Sequence, residues 1–388
     1  MIPRENEKHR YHGFEQGPIR PPSEARSLLI RVTRNCPWNR CAFCPVYKGS
    51  RFSVRPEDHV IADIDDVHRH VLRLKELADG QGRIARQELD LHAQNLAEHQ
   101  QQAFAAAFNW FAGGMTAIFL QDANSLVIKP DSLIRILRHI RSRFPWVERI
   151  TSYARSHTVA RISDAHLKAM RDAGLNRIHI GLESGSDAVL KRVRKGVDKA
   201  TQIKAGRKAK KAGMELSEYV MPGLGGRDLS RDHALETADA LNQINPDFIR
   251  LRTLAIPGGI PLAELQRSGQ FLKLNDLEMV REIRLFIETL EGIESMIVSD
   301  HILNLFEEVQ GRLPDARPGI LAVLDGFLSL DPEDQCLFQV GRRLGIFTRV
   351  ADLDSPKRRA KVDGFCRQYG IGPENVDQMI DEIMKRFI

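Results

Sequence analysis

Six short apolar or β-branched runs alternate with longer amphipathic stretches over the first two thirds of the chain, and this rhythm limits the fold more than any other feature. The strand-like runs are SLLIRVT (27–33), MTAIFLQ (115–121), ERITSYA (148–154), NRIHIGLE (176–183), MELSEYVM (214–221) and DFIRLRTL (247–254). Between them, PDSLIRILRHIRSRF, DAHLKAMRDAG, DAVLKRVRKG, KATQIKAGRKAKKAG and SRDHALETADALNQI carry apolar residues at three- and four-residue spacing, as helices packed by one face do. End signals accompany them: Ser163 or Asp164 precedes AHLKAMRDAG, and Gly174 or Gly213 follows a helical run. Strand–helix units in series imply a parallel sheet with right-handed crossovers. The predicted fold is therefore α/β: a partial (β/α)6 TIM-type barrel with a helical insertion after strand one and a mainly helical C-terminal region.

Predicted boundaries follow. Residues 1–26 form a polar, proline-rich extension, 27–259 the core barrel with its insertion at about 61–111, and 260–388 the C-terminal region. Hydrophobic residues are 42% of the chain, enough for a large core, yet no apolar run nears the roughly 20 residues that span a bilayer. The opening MIPRENEKHRYHGFEQGPIRPP lacks the apolar segment of a secretory signal, so a cytoplasmic protein without a membrane partner is expected. The net charge of +6 admits a nucleic-acid partner without establishing one. Its densest basic runs, GRKAKKAG and PKRRAK, have helical periodicity and read first as solvated faces.

Three of the five cysteines, Cys36, Cys41 and Cys44, crowd into RNCPWNRCAFCPVYKG. They lie in the loop leaving the first strand, at the end where such barrels build active sites. An odd, sparse set of cysteines is no disulfide framework and points to metal or catalytic chemistry. A closed zinc site would need a fourth ligand from Cys336, Cys366 or a distant histidine. A [4Fe–4S] cubane held by three thiolates keeps one iron open for a ligand, and three clustered cysteines favour it. Inert buried thiols fit poorly with Pro37, Asn39, Arg40 and Pro45, which mark an exposed loop. Trp38 and Tyr47 flank the motif as shields, and Cys336 and Cys366 are expected to be ordinary thiols of a helical region.

From about Ser27 to Pro257 the sequence resembles the radical S-adenosylmethionine (radical SAM) superfamily. CAFC, with Phe43 before the last cysteine, matches its motif, while the four residues PWNR between Cys36 and Cys41 give a minority CX4CX2C spacing. GLESGSDAVLKRVRKG is similar to the branch with Elp3-like, cobalamin-dependent and coproporphyrinogen-oxidase-like members. The resemblance implies a [4Fe–4S] cluster and S-adenosylmethionine (SAM) as cofactors. It also implies that Glu183 contacts the SAM ribose or amino group, and that Lys195, ahead of Arg192 or Arg194, meets its carboxylate. The turn LQDANS takes the place of a glycine-rich SAM-binding turn, so Gln121, Asp122 and Asn124 are implied to serve there through side chains. VMPGLGG and LAIPGG fit the places where backbone approaches the adenosyl group.

Strand alternation suggests where a substrate would lie. Ile178, Ile180 and Leu182 share one face of NRIHIGLE, opposite Arg177, His179, Gly181 and Glu183; Ile249 and Leu251 oppose Arg250 and Arg252. The polar sets are expected to face the barrel lumen, with Arg155, His157, Glu218 and Tyr219 at neighbouring strand ends. Arg250 and Arg252 either pair with Glu183 or Glu218 or anchor a substrate anion, for which a guanidinium fork is suited. His179 is a packed core residue or a catalytic acid, and Arg155 and His179 complete the candidate substrate set.

Two cysteines outside the triad are too few for an auxiliary cluster, and the 26 leading residues have no room for a cobalamin module. The expected activity is reductive SAM cleavage to a 5′-deoxyadenosyl radical acting on an unidentified, anionic substrate, with an external flavodoxin- or ferredoxin-type electron donor. The alternatives are an iron–sulfur protein of electron transfer or cluster handling that does not cleave SAM, and a tRNA-modifying radical SAM enzyme.

Overall fold

The computed structural model describes residues 11–384. Its strands are β1 Leu28–Arg31, β2 Thr33–Arg34, β3 Ser53–Val54, β4 Ala117–Gln121, β5 Arg149–Ala154, β6 Leu175–Glu183, β7 Glu215–Val220, β8 Phe248–Leu251, β9 Met296–Val298 and β10 Gly311–Arg312. Eight form one sheet in the order β1-β4-β5-β6-β7-β8-β9-β10, while β2 and β3 make a separate antiparallel pair. The sheet is mainly parallel, with β9–β10 antiparallel. All six strand-like runs are strands, and the chain is α/β as its rhythm predicts.

The described residues divide into two compact units, residues 11–39, 46–179 and 208–215, and residues 40–45, 180–207 and 216–384. In the first, the helix Glu57–Leu77 buries Val60, Ile64, Val67, Val71 and Leu74, the three- and four-residue spacing that makes one apolar face. The stretch after strand one is three helices, Glu57–Leu77, Arg86–Gln94 and Glu98–Ala112. The chain turns between the first two at Asp79, whose carboxylate accepts from the backbone N–H groups of Gln81 and Arg83 at 2.8 and 2.9 Å. Trp110 Nε1 donates to the Ala117 carbonyl at 2.9 Å, docking the third helix on the start of β4.

In the second unit, the helix Asp276–Thr289 opens with a reciprocal cap between Asn275 and Glu278. Leu251 and Thr253 line a small cavity with Met279, Val280 and Ile283 of that helix, so one face of β8 packs on it. Helices Arg317–Leu328, Pro332–Arg343, Pro356–Tyr369 and Val376–Met384 follow. Stacked and edge-on rings of Phe306, Phe327, Phe338 and Phe347, with centroids 5.3–6.3 Å apart, form their core. Strands β9 and β10 interrupt this helical region; at three and two residues they are too short to show alternation in sequence. Among the described residues no helix is long and apolar enough to cross a membrane.

Candidate active site

In the first unit, the ends of β1 and β4 meet at Asp122. Its Oδ2 accepts from Arg31 Nε and Nη2 at 2.9 and 2.6 Å and from the Asn35 N–H at 3.1 Å, and its Oδ1 accepts from the Tyr47 hydroxyl at 2.9 Å. Burial, then the Asp122 charge, pushes the Tyr47 phenol up, so it stays a donor. Tyr47 is thus an organising ligand of Asp122 as well as a flank of the cysteine motif. Gln121 binds backbone instead: its Oε1 accepts from Gly17 N at 2.8 Å and its Nε2 donates to the carbonyls of Gly17 and Ile19. Asn124 donates to Thr158 Oγ1 at 2.9 Å and accepts from Arg155 N at 3.0 Å. All three side chains are buried and engaged within the unit. Asn39 Nδ2 holds the carbonyls of Tyr47 and Ser50, fixing the chain just beyond Cys36.

Two other candidates of this unit have different surroundings. Arg155 lies with its guanidinium 5.0 Å from the Trp38 ring centroid. His179 is fully buried, its Nε2 3.5 Å from Glu24 Oε1 and its ring beside Phe119 and Tyr153. Burial alone would raise the Glu24 carboxyl; His179, Ser27 and Arg149 outweigh it and hold it below the usual range. This ion-paired core is where His179 sits.

In the second unit, Ala42, between Cys41 and Cys44, is clamped on both sides. Its N–H donates to the Val193 carbonyl at 2.8 Å, and its own carbonyl accepts from Leu262 N at 3.0 Å. Phe43 enters an apolar cluster with Val189, Val193, Leu224, Leu254, Ile260 and Leu262. Glu183 closes β6 in the left-handed region, at φ 65°, and its Oε1 is 3.1 Å from Lys195 Nζ. A Cβ on Gly181 would stand 2.2 Å from that Oε1 and 3.0 Å from that Nζ, so any larger residue there would push the pair aside. Arg192 is committed elsewhere, with two bonds to Asp228 at 2.8 and 2.5 Å and one to the Gly225 carbonyl. Of Lys195 and Arg192, Lys195 is the cation beside Glu183. Glu218 is almost fully buried, its Oε2 without a hydrogen-bond partner; burial drives its carboxyl well above the usual range, with Lys195 pulling down and Glu183 pushing up.

The loop after β7 rests on residues that no local motif signals. Glu282 accepts from Gly223 N and from the Ser230 hydroxyl, both at 2.6 Å. His233 bonds Ser184 Oγ at 2.8 Å and the Met221 carbonyl at 3.0 Å. Arg250 lies beside Tyr219 in register and on the face of β8 opposite the Leu251 side. Its partner is Asp300, at 2.6 Å, and not the expected Glu183 or Glu218, because the chain after β9 reaches the β8 face directly. Arg252 lies 4.5 Å over the Tyr219 ring centroid. Cys336 and Cys366 are buried hydrogen-bond partners, which keeps the Cys336 thiol protonated.

The donor set suits the cluster that the motif implies: three half-buried thiols within nine residues, on a loop whose backbone is fixed on both sides of Cys41. Among the described residues no three His, Cys, Asp or Glu side chains stand gathered as a preformed metal site. The cluster assignment rests on thiolate chemistry and on the family.

Residues 30–240, more than half of the chain, match the family model described as the radical SAM superfamily. The chain is 22% identical over 275 residues to a tRNA uridine(34) acetyltransferase of Methanocaldococcus jannaschii, covering 69% of this chain and 49% of that protein. It is 25% identical over 122 residues to the protein of the same name from Methanocaldococcus infernus, covering 31% and 23%. The chain thus spans half or less of the length of the curated relatives it matches. Among solved structures, coproporphyrinogen III oxidase of Escherichia coli matches 68% of this chain and 52% of its own at 14% identity, with a TM-score of 0.43. With its three-thiol motif and matched core, the chain belongs to the radical SAM superfamily, whose members use a [4Fe–4S] cluster and SAM.

Proposed function

We propose that this protein is an enzyme that binds a [4Fe–4S] cluster through Cys36, Cys41 and Cys44 and cleaves SAM reductively. The observation that carries the reading is the triad on its fixed loop within a radical SAM core. When bound, the cluster supplies the electron for cleavage of SAM to methionine and a 5′-deoxyadenosyl radical. The chain's residues supply binding and orientation. Glu183, held over Gly181, offers a carboxylate to the SAM amino group or ribose, and Lys195 offers its ammonium to the SAM carboxylate. Asp122, Gln121 and Asn124 act through the backbone they hold, keeping the strand ends and the cysteine loop in place. Phe43 and its apolar neighbours exclude water beside Cys41 and Cys44.

The electron comes from an external donor of flavodoxin or ferredoxin type, in a reducing cytoplasmic setting. Reconstitution with iron and sulfide under anaerobic conditions, then incubation with SAM and dithionite, tests the reading. Release of 5′-deoxyadenosine supports it; a loaded cluster without SAM binding or cleavage makes the protein an electron carrier or cluster-handling protein instead. The likeness to tRNA uridine(34) acetyltransferases favours a second reading for the substrate, a tRNA. RNA that co-purifies and binds with steep salt dependence would support that reading, and binding insensitive to salt would remove it.

A further inference from the structure

The face of β8 opposite the helix Asp276–Thr289 carries a cationic arrangement outside the cofactor residues. Arg250 is over nine-tenths buried; its Nη1 holds Asp300, and its Nε has no hydrogen-bond partner. Arg252 stacks over Tyr219. His301 follows Asp300, with its Nδ1 buried and lacking a hydrogen-bond partner. Burial, then the charge of Arg252, pushes the His301 imidazole down to about 4, with Asp300 opposing, so it is neutral at pH 7.

The arrangement is held in advance. Asn304 Oδ1 accepts from the N–H and hydroxyl of Thr253, both at 3.0 Å, while its Nδ2 donates to the Leu251 carbonyl and to Ser299 Oγ. One side chain thus ties the end of β8, where Arg252 sits, to the segment carrying Asp300 and His301. A buried guanidinium N–H and a buried imidazole nitrogen without partners are the groups that a ligand oxygen satisfies.

We propose that Arg250, Arg252 and His301 form a seat for an oxyanion, the carboxylate or phosphate of the substrate. This names the substrate class for the radical chemistry proposed above and rests on that reading for its purpose, though not for its test. Anaerobically reconstituted full-length protein is titrated by calorimetry with inorganic phosphate and, separately, with acetate. Saturable binding of either ion is expected, the tighter one marking the group that the seat prefers. Arg252→Ala should weaken it by about tenfold or more, as loss of a charge-assisted bond does. Arg252→Lys, which keeps the charge but not the fork, should fall between, and guards against misfolding of the alanine variant. Arg86→Ala, a fully exposed control, should bind as wild type does. Absence of saturable binding of both ions below about 10 mM, or equal binding by wild type, Arg252→Ala and Arg252→Lys, overturns the seat. Absence of 5′-deoxyadenosine from wild type overturns the SAM-cleavage reading alone and leaves the calorimetric result standing.

Discussion

The two compact units treat charge differently at the carboxyl ends of their strands. In the first, Asp122 takes four donors from Arg31, Tyr47 and Asn35, and Glu15 is surrounded by Arg31, Arg34 and Arg55. In the second, Glu183 faces one lysine, while Glu218 Oε2, Arg250 Nε and His301 Nδ1 keep unused capacity. Buried polar groups are nearly always satisfied, and buried atoms without partners occur in the first unit too, Arg55 Nε and Arg149 Nε among them; what differs is how fully the strand-end carboxylates Asp122 and Glu183 are occupied. On the proposed reading Asp122, with its four donors in place, positions, and Glu183, with one lysine beside it, recognises. A family motif alone would give Asp122 and Glu183 the same role; their hydrogen-bond partners separate them.

The largest effect tests the cysteine motif itself. Alanine at Cys36, Cys41 or Cys44 should abolish SAM cleavage and remove the cluster absorption. Cys336→Ala and Cys366→Ala should retain both. Full activity in Cys41→Ala would end the cluster assignment.

Asp122→Asn should be the next most damaging change. It leaves the Arg31 guanidinium, only 14% exposed, beside a neutral amide, with Glu15 at 3.3 Å as its remaining carboxylate. Weakening these charge-assisted bonds costs about 1–3 kcal/mol. A fall in melting temperature and in iron bound per chain is expected, readable by circular dichroism and iron analysis. Glu183→Gln should invert the pattern: near-normal stability and iron content, with SAM affinity weakened about ten- to a hundredfold by loss of a bond to a charged group. If Asp122→Asn lowers SAM affinity of its cluster-loaded fraction as much as Glu183→Gln does, the division between positioning and recognition fails.

What the sequence discloses and what it hides divides along the same physical line. The six strands are legible because alternation and three- and four-residue spacing are local, and the cysteine triad because its three members lie within nine residues. The face shared by Arg250 and Arg252 follows from strand periodicity, as does their separation from Ile249 and Leu251. Asp300 as the partner of Arg250 does not follow, since it lies fifty residues on, beyond a three-residue strand that shows no pattern. The occupied state of Asp122 is hidden for the same reason: Arg31 and Tyr47 reach it across 91 and 75 residues. Gly181 could have been suspected, being a glycine inside a strand, where a close approach is its usual cause.

The smallest effect compares one histidine from each unit. His70, packed on His92 and Phe104, is pushed down to about 4 by burial and then by His92; His301 is pushed down to about 4 by burial and then by Arg252. In the unfolded chain both return to about 6.5. Between those values the unfolded chain binds protons that the folded one refuses, so stability is lost as pH falls from about 6.5 towards 4. The loss comes to at most about 1–2 kcal/mol for each at pH 5. His70→Asn and His301→Asn should each shrink the drop in melting temperature between pH 7 and pH 5, and taking the difference from wild type cancels the carboxylates that titrate in the same range. Added phosphate separates the two. An anion seated beside Arg252 favours the charged imidazole and raises the folded value for His301, so the acid penalty carried by His301 should diminish in phosphate while that of His70 persists. Equal phosphate effects on both variants would mean that the ion acts on the whole surface, and the asymmetry between the units would then not extend to ligand binding.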